Sequence, residues 1–123
     1  MADGEDGRET SRVNMERLKE MSDGTEEGVR ELAQVYLKQT SELLGKIERA
    51  AQDGRTGEVR MLAHKCIGSS AFCGMRTMVS LFENLEKAGE GNRLDEAQRL
   101  AGEAKRELEL VKQQLPISWG RRP

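Results

Sequence analysis

Ala63-His64-Lys65-Cys66-Ile67-Gly68-Ser69-Ser70-Ala71-Phe72-Cys73-Gly74 holds the one histidine of a 123-residue chain. Wound as an α-helix at about 100° per residue, this stretch and the residues before it divide into two faces. Val59, Leu62, Cys66, Ser69, Ser70 and Cys73 make an inward stripe, and His64 points almost directly away from it. Around the imidazole on the outer face stand Arg60, Met61, Ile67, Gly68 and Ala71. A solvated face is normally Glu, Lys and Arg; this one is small and apolar, which suits docking of a partner.

Outward from this stretch the same period continues. The spacing predicts a short helix over 13–21, with Leu18 and Met21 capping the end of a bundle, broken by Ser22-Asp23-Gly24. A long helix over 25–53 follows, its stripe Val29, Leu32, Ala33, Tyr36, Thr40, Leu43, Leu44, Ile47, Ala50 and Ala51. The histidine helix spans 57–73 and ends at Gly74, a residue type suited to the position after a helix. The next covers 76–88 with Met78, Leu81, Phe82 and Leu85 inward, and Gly89 and Gly91 are read as its end. Asn92 is read as the N-cap of the last helix, whose Leu94, Ala97, Ala101, Ala104, Leu108, Val111 and Leu115 form a seam spaced by threes and fours. The fold expected is all-α: an antiparallel up-down four-helix bundle with a short extra N-terminal helix. The seam would also serve a coiled-coil dimer, but the short Gly-containing turns favour packing within one chain, hence a monomer.

Composition narrows the function. Proline is absent before Pro116, and 20 basic side chains balance 22 acidic ones to a net charge of −2. A nucleic-acid surface would need a basic face, and stacking platforms would need more aromatics than Tyr36, Phe72, Phe82 and Trp119. No apolar run approaches the roughly 20 residues that span a bilayer. The acidic, polar start lacks the apolar core of a signal peptide. Cys66 and Cys73 on one helix would stand about 10.5 Å apart along its axis, too far for a disulfide. Reduced thiols without an export signal point to the cytoplasm. Residues 1–11 read as a disordered acidic leader, 12–115 as one bundle domain and 116–123 as a C-terminal tail. In that tail Trp119 either folds back on the bundle or meets a partner.

His64 is the candidate functional group. No second histidine exists and neither cysteine shares its face, so a metal centre is disfavoured. The Glu-x-x-His pattern of di-iron bundles is missing, and Ser69 and Ser70 point elsewhere, away from any triad. An exposed imidazole is largely neutral at pH 7 and is a competent nucleophile. Gly68, one turn on, costs about 1 kcal/mol against alanine inside a helix. Close approach of a partner beside the ring accounts for that cost; close helix packing is the competing explanation, weakened by Gly68 facing away from the core.

The run Ala63-His64-Lys65-Cys66-Ile67-Gly68-Ser69-Ser70-Ala71, followed by Gly74, resembles the signature of histidine phosphotransfer (HPt) domains, Ala-His-x-Leu-Lys-Gly-Ser-Ser/Ala-Ala with a later glycine. Leu85-Glu86 resembles the family's Leu-Glu element, and the order of helices matches over nearly the whole chain. The resemblance implies that His64 is phosphorylated, that Gly68 admits the partner, that Ser69 is bonded locally and that Gly74 ends the helix. It implies a phosphorelay carrier, not an enzyme. A nitrogen of His64, expected to be Nε2, takes the phosphoryl group from a receiver-domain aspartate of a response regulator or hybrid histidine kinase, and another receiver takes it on. No cofactor is expected on this chain, because Mg²⁺ would belong to the receiver. One position departs: the family carries lysine where this chain has Ile67. Lys65 or Arg60 would then supply the cation beside the phosphoryl group, or the partner would. The alternative is a non-phosphorylated pseudo-HPt adaptor that docks a receiver or kinase; a purely structural bundle leaves Gly68 and the apolar face without a purpose.

Overall fold

A computed structural model describes residues 11–115; the leader before it and the tail with Trp119 lie outside the described residues. Five helices follow one another: α1 (Met15–Met21), α2 (Glu26–Gln52), α3 (Thr56–Phe72), α4 (Arg76–Glu90) and α5 (Leu94–Gln114). The last four make the bundle, each packing on its sequence neighbours while α5 closes back on α2. Cross-links fix the antiparallel sense: Tyr36 to Ser70 between α2 and α3, Thr77 to Glu107 between α4 and α5, and Lys105 to Glu48 between α5 and α2.

Local chemistry starts the first two helices. The Asn14 side chain accepts from the Arg17 amide and the Thr25 hydroxyl from the Gly28 amide, each satisfying an otherwise orphaned donor. The α2 stripe is the expected one, with Val29, Ala33, Tyr36, Thr40, Leu44, Ile47, Ala50 and Ala51 buried and Leu32 and Leu43 half-buried at its edges. The α5 seam also faces inward, so the chain uses it within its own bundle. Leu100 joins that seam, having no place in the strict three-four spacing.

Four local expectations are corrected. Helix α1 begins at Met15, because Val13 pairs in a β-bridge with Met75. Met21 is only half-buried, leaving Leu18 as the buried cap of the bundle's end. Gly89 does not end α4, which runs to Glu90; it is buried where a Cβ would lie 2.7 Å from the Thr56 carbonyl oxygen and 2.8 Å from the Arg60 nitrogen. Its missing side chain lets α3 and α4 approach backbone to backbone. Asn92 does not cap α5, whose N-cap is Arg93; it adopts a positive φ of 56° after α4, and its side-chain oxygen accepts from the Thr56 hydroxyl at 2.6 Å.

The strap before α1 ties down the turn after the histidine helix. The Asn14 amide donates to the Gly74 carbonyl, the Arg76 amide to the Arg12 carbonyl and Arg17 Nε to the Phe72 carbonyl. Arg12 also pairs with Glu107 at 2.7 Å, and Glu107 accepts from the Thr77 hydroxyl. The C-terminal end of α3 is therefore held from α1, α4 and α5 together.

Candidate functional site

Helix α3 presents two apolar faces. Val59, Leu62, Ala63, Cys66 and Ser70 are buried, with Cys73 just beyond the helix end. Ala63 widens the expected stripe, while Ser69 moves out of it: it is half-buried and its hydroxyl donates to the Cys66 carbonyl at 3.3 Å. Ser70 shares a hydrogen bond of 2.7 Å with the Tyr36 hydroxyl inside the core. Neither serine is directed at His64.

On the outer face His64 is 71% exposed. Arg60, Met61, Lys65, Gly68 and Ala71 are exposed around it, so the structure brings these expected residues to one surface. Ile67 is the exception, half-buried against the core. A Cβ built on Gly68 would meet nothing within 4 Å. Close helix packing therefore does not explain this glycine. Phe72, 46% exposed, continues the row His64, Gly68, Phe72 at steps of four residues. That spacing is readable in the sequence, although attention to the inward stripe passes over it. Arg60 and Lys65 enter no ion pair among the described residues.

Sequence reasoning also missed the partner of the imidazole. Glu86 on α4 places Oε2 2.9 Å from His64 Nδ1. A carboxylate oxygen accepts, so this contact suits the tautomer of the ring that has its hydrogen on Nδ1. Glu86 is itself mostly covered, its side chain 22% exposed, so it is more constrained than the ring it orients. The signal was the turn: His64 and Glu86 stand eleven positions either side of Met75, level with each other across the α3–α4 hairpin.

The other nucleophilic side chains nearby are suppressed. Burial pushes the Cys66 thiol up to about 12, overriding the nearby Lys65 charge, and burial raises Cys73 as well. Tyr36 is raised mainly by burial, against the opposing hydrogen bond from Ser70. Both cysteines are free and buried. A groove of about 550 Å³ between α2 and α5, lined by Lys38, Leu44, Lys105 and Leu108 among others, contains none of the histidine face.

Against known families, the chain matches the Hpt domain over residues 31–114, from the second turn of α2 to the end of α5. The chain belongs to the Hpt domain family. Comparison with curated proteins and with solved structures found no match. An Hpt domain takes part in histidine phosphotransfer within a phosphorelay, as a phosphocarrier working with the receiver and kinase partners of two-component systems. In this Hpt domain the described residues include no helix long and apolar enough to cross a membrane.

Proposed function

We propose that His64 Nε2 accepts a phosphoryl group from the aspartyl phosphate of one receiver domain and passes it to the aspartate of another. The observation that carries this reading is the geometry of the ring: exposed, tied through Nδ1 to Glu86, and one turn from a glycine with open space above it. In the first transfer the Nε2 lone pair forms the N–P bond while the P–O bond to aspartate breaks and the carboxylate departs. Mg²⁺ and the acidic pocket that bind the group belong to the receiver, and this chain supplies nucleophile and docking face. Met61, Gly68, Ala71 and the exposed edge of Ile67 form the contact surface; Lys65 or Arg60 neutralises the phosphoryl oxygens. The domain acts as a monomer, and two buried free thiols suit the cytoplasm.

Exposure to a phosphorylated receiver should give this protein an acid-labile, base-stable label that His64→Gln lacks. Absence of label across competent receivers sinks the carrier reading. The adaptor reading then takes its place, and one feature favours it: Ile67, packed against the core, occupies the position of the family's lysine. Comparing Lys65→Ala with Arg60→Ala decides the cation. A slowed transfer in one names the residue, and unchanged transfer in both assigns the charge to the receiver.

A further inference from the structure

Gly45 lies in the interior of α2, where a Cβ would meet only the end of the Arg49 side chain, at 3.9 Å. A glycine there costs the helix about 1 kcal/mol against alanine, and packing within the described bundle does not account for it. Gly45 lines the groove of about 550 Å³ between α2 and α5, whose apolar floor is Leu37, Leu44 and Leu108. We propose that this groove is a docking site within the molecule and that its occupant is the chain's own segment after Leu115, anchored by Trp119.

The register of the two helices brings the groove to the place where that segment begins. The Lys105–Glu48 ion pair sets α2 and α5 side by side at one end. From this pair the α5 wall runs to Lys112, about 10.5 Å at 1.5 Å per residue, whereas the α2 wall runs to Gln34, about 21 Å. The α2 wall therefore continues past Lys112, towards the end of α5. There Leu115 is buried, with its backbone extended at φ −87° and ψ 151°. Trp119, four residues on, lies within about 14 Å of Leu115 even with the chain fully stretched. Leu108 stands about 10.5 Å back along α5, so the indole can reach the floor of the groove.

The chemistry of the groove suits an indole. Its rim carries both signs, Lys38, Lys105 and Lys112 against Glu48 and Glu109, so the apolar floor and not net charge selects the occupant. Tryptophan is the side chain with most apolar surface to lose, and its N–H needs an acceptor, which the Ser41 hydroxyl or the Glu109 carboxylate offers. The lysines at the rim can stand over the ring face. The other end of the chain is a poorer occupant, because before Ser11 only Met1 and Ala2 are apolar. A segment tethered this close acts at an effective concentration on the order of mM, which an apolar partner from solution has to outcompete. Gly45 then leaves the space that the docked backbone needs.

Trp119 is the chain's one tryptophan, so fluorescence of the full chain reads a single environment. Wild type should emit to the blue of the urea-unfolded chain, with acrylamide quenching severalfold weaker, and neither should change on dilution. Nuclear Overhauser contacts should join the indole to the methyls of Leu37 and Leu108; these are read on wild type and need no variant. Gly45→Gln places a long neutral side chain in the groove and removes the glycine penalty. It should lose the blue shift and the contacts while keeping its helical circular dichroism. Gly68→Gln, on the histidine face, should keep the wild-type emission. Quenching in wild type as strong as in the unfolded chain overturns the inference, as does a blue shift that survives Gly45→Gln together with absent indole contacts to Leu37 and Leu108. A blue shift lost in Gly68→Gln places Trp119 on the histidine face, and one that fades on dilution assigns it to a second copy; either result also overturns docking in this groove. None of these measurements involves phosphorylation, so the carrier reading stands or falls separately.

Discussion

Two glycines of the α3–α4 pair show how the same residue serves opposite ends. Gly89 is buried where any side chain would strike the α3 backbone, whereas Gly68 faces open space beside His64. Gly68→Ala should therefore raise stability by about 1 kcal/mol, the gain of replacing an unpacked helical glycine. Gly68→Arg should leave thermal unfolding no worse than wild type. It should cut phosphoryl uptake from a receiver at least tenfold while leaving labelling by phosphoramidate unchanged, because it obstructs the partner and not the ring. Equal loss with both donors would show that Gly68 acts on the imidazole itself. Gly89→Ala should instead destabilise. The steric cost of about 1–3 kcal/mol outweighs the helix-propensity gain, and the loss is measurable by denaturant titration.

At the scale of elements, the turn between α3 and α4 determines where the histidine helix stops. Gly74 holds a φ of +75°, and a Cβ there would lie 2.9 Å from both Arg17 Cβ and the Asn14 carbonyl oxygen. Gly74→Ala combines left-handed strain with a collision against the strap, and should cost about 2 kcal/mol or more in chemical unfolding. A cost below about 1 kcal/mol would mean that the strap moves aside easily. This turn was legible in the sequence, as were the five helices and the outward phase of His64, because each follows from periodicity or from a glycine at a helix end. What escaped depends on contacts between helices. Gly89 reads as a stop until Thr56 and Arg60 are seen against it; Asn92 suits an N-cap and a positive φ equally well. Ala63 is buried because α3 is covered from two sides, a fact its own period does not contain. Glu86 was visible as a residue, but its contact with His64 exists only once the hairpin sets the two helices level.

For the whole molecule, the site depends on a core with few ionisable groups, and those few confer a pH dependence of defined sign. Cys66 is pushed up to about 12, and Cys73 and Tyr36 are also raised, all chiefly by burial. Each folded value lies above its unfolded one. Below the unfolded thiol range both states keep their protons, and these groups contribute no slope. As pH rises past about 9 the unfolded chain releases its thiol protons, and past about 10 its tyrosine proton, while the folded chain retains them. The unfolded state then binds fewer protons, so stability falls with rising pH, by up to about 1.4 kcal/mol per unit for each group. Denaturant titrations between pH 8 and pH 11 should show this decline, and Cys66→Ala should flatten its onset even though the cavity lowers stability overall. The same burial predicts that alkylating reagents modify Cys66 only as fast as the bundle opens. Reaction at the rate of a free thiol under native conditions would show that α3 separates from the core far more often than its packing against α2 and α4 implies. The outward-facing His64 should react with its own modifying reagents at once, so the two residues of one helix report independently on opening and on access.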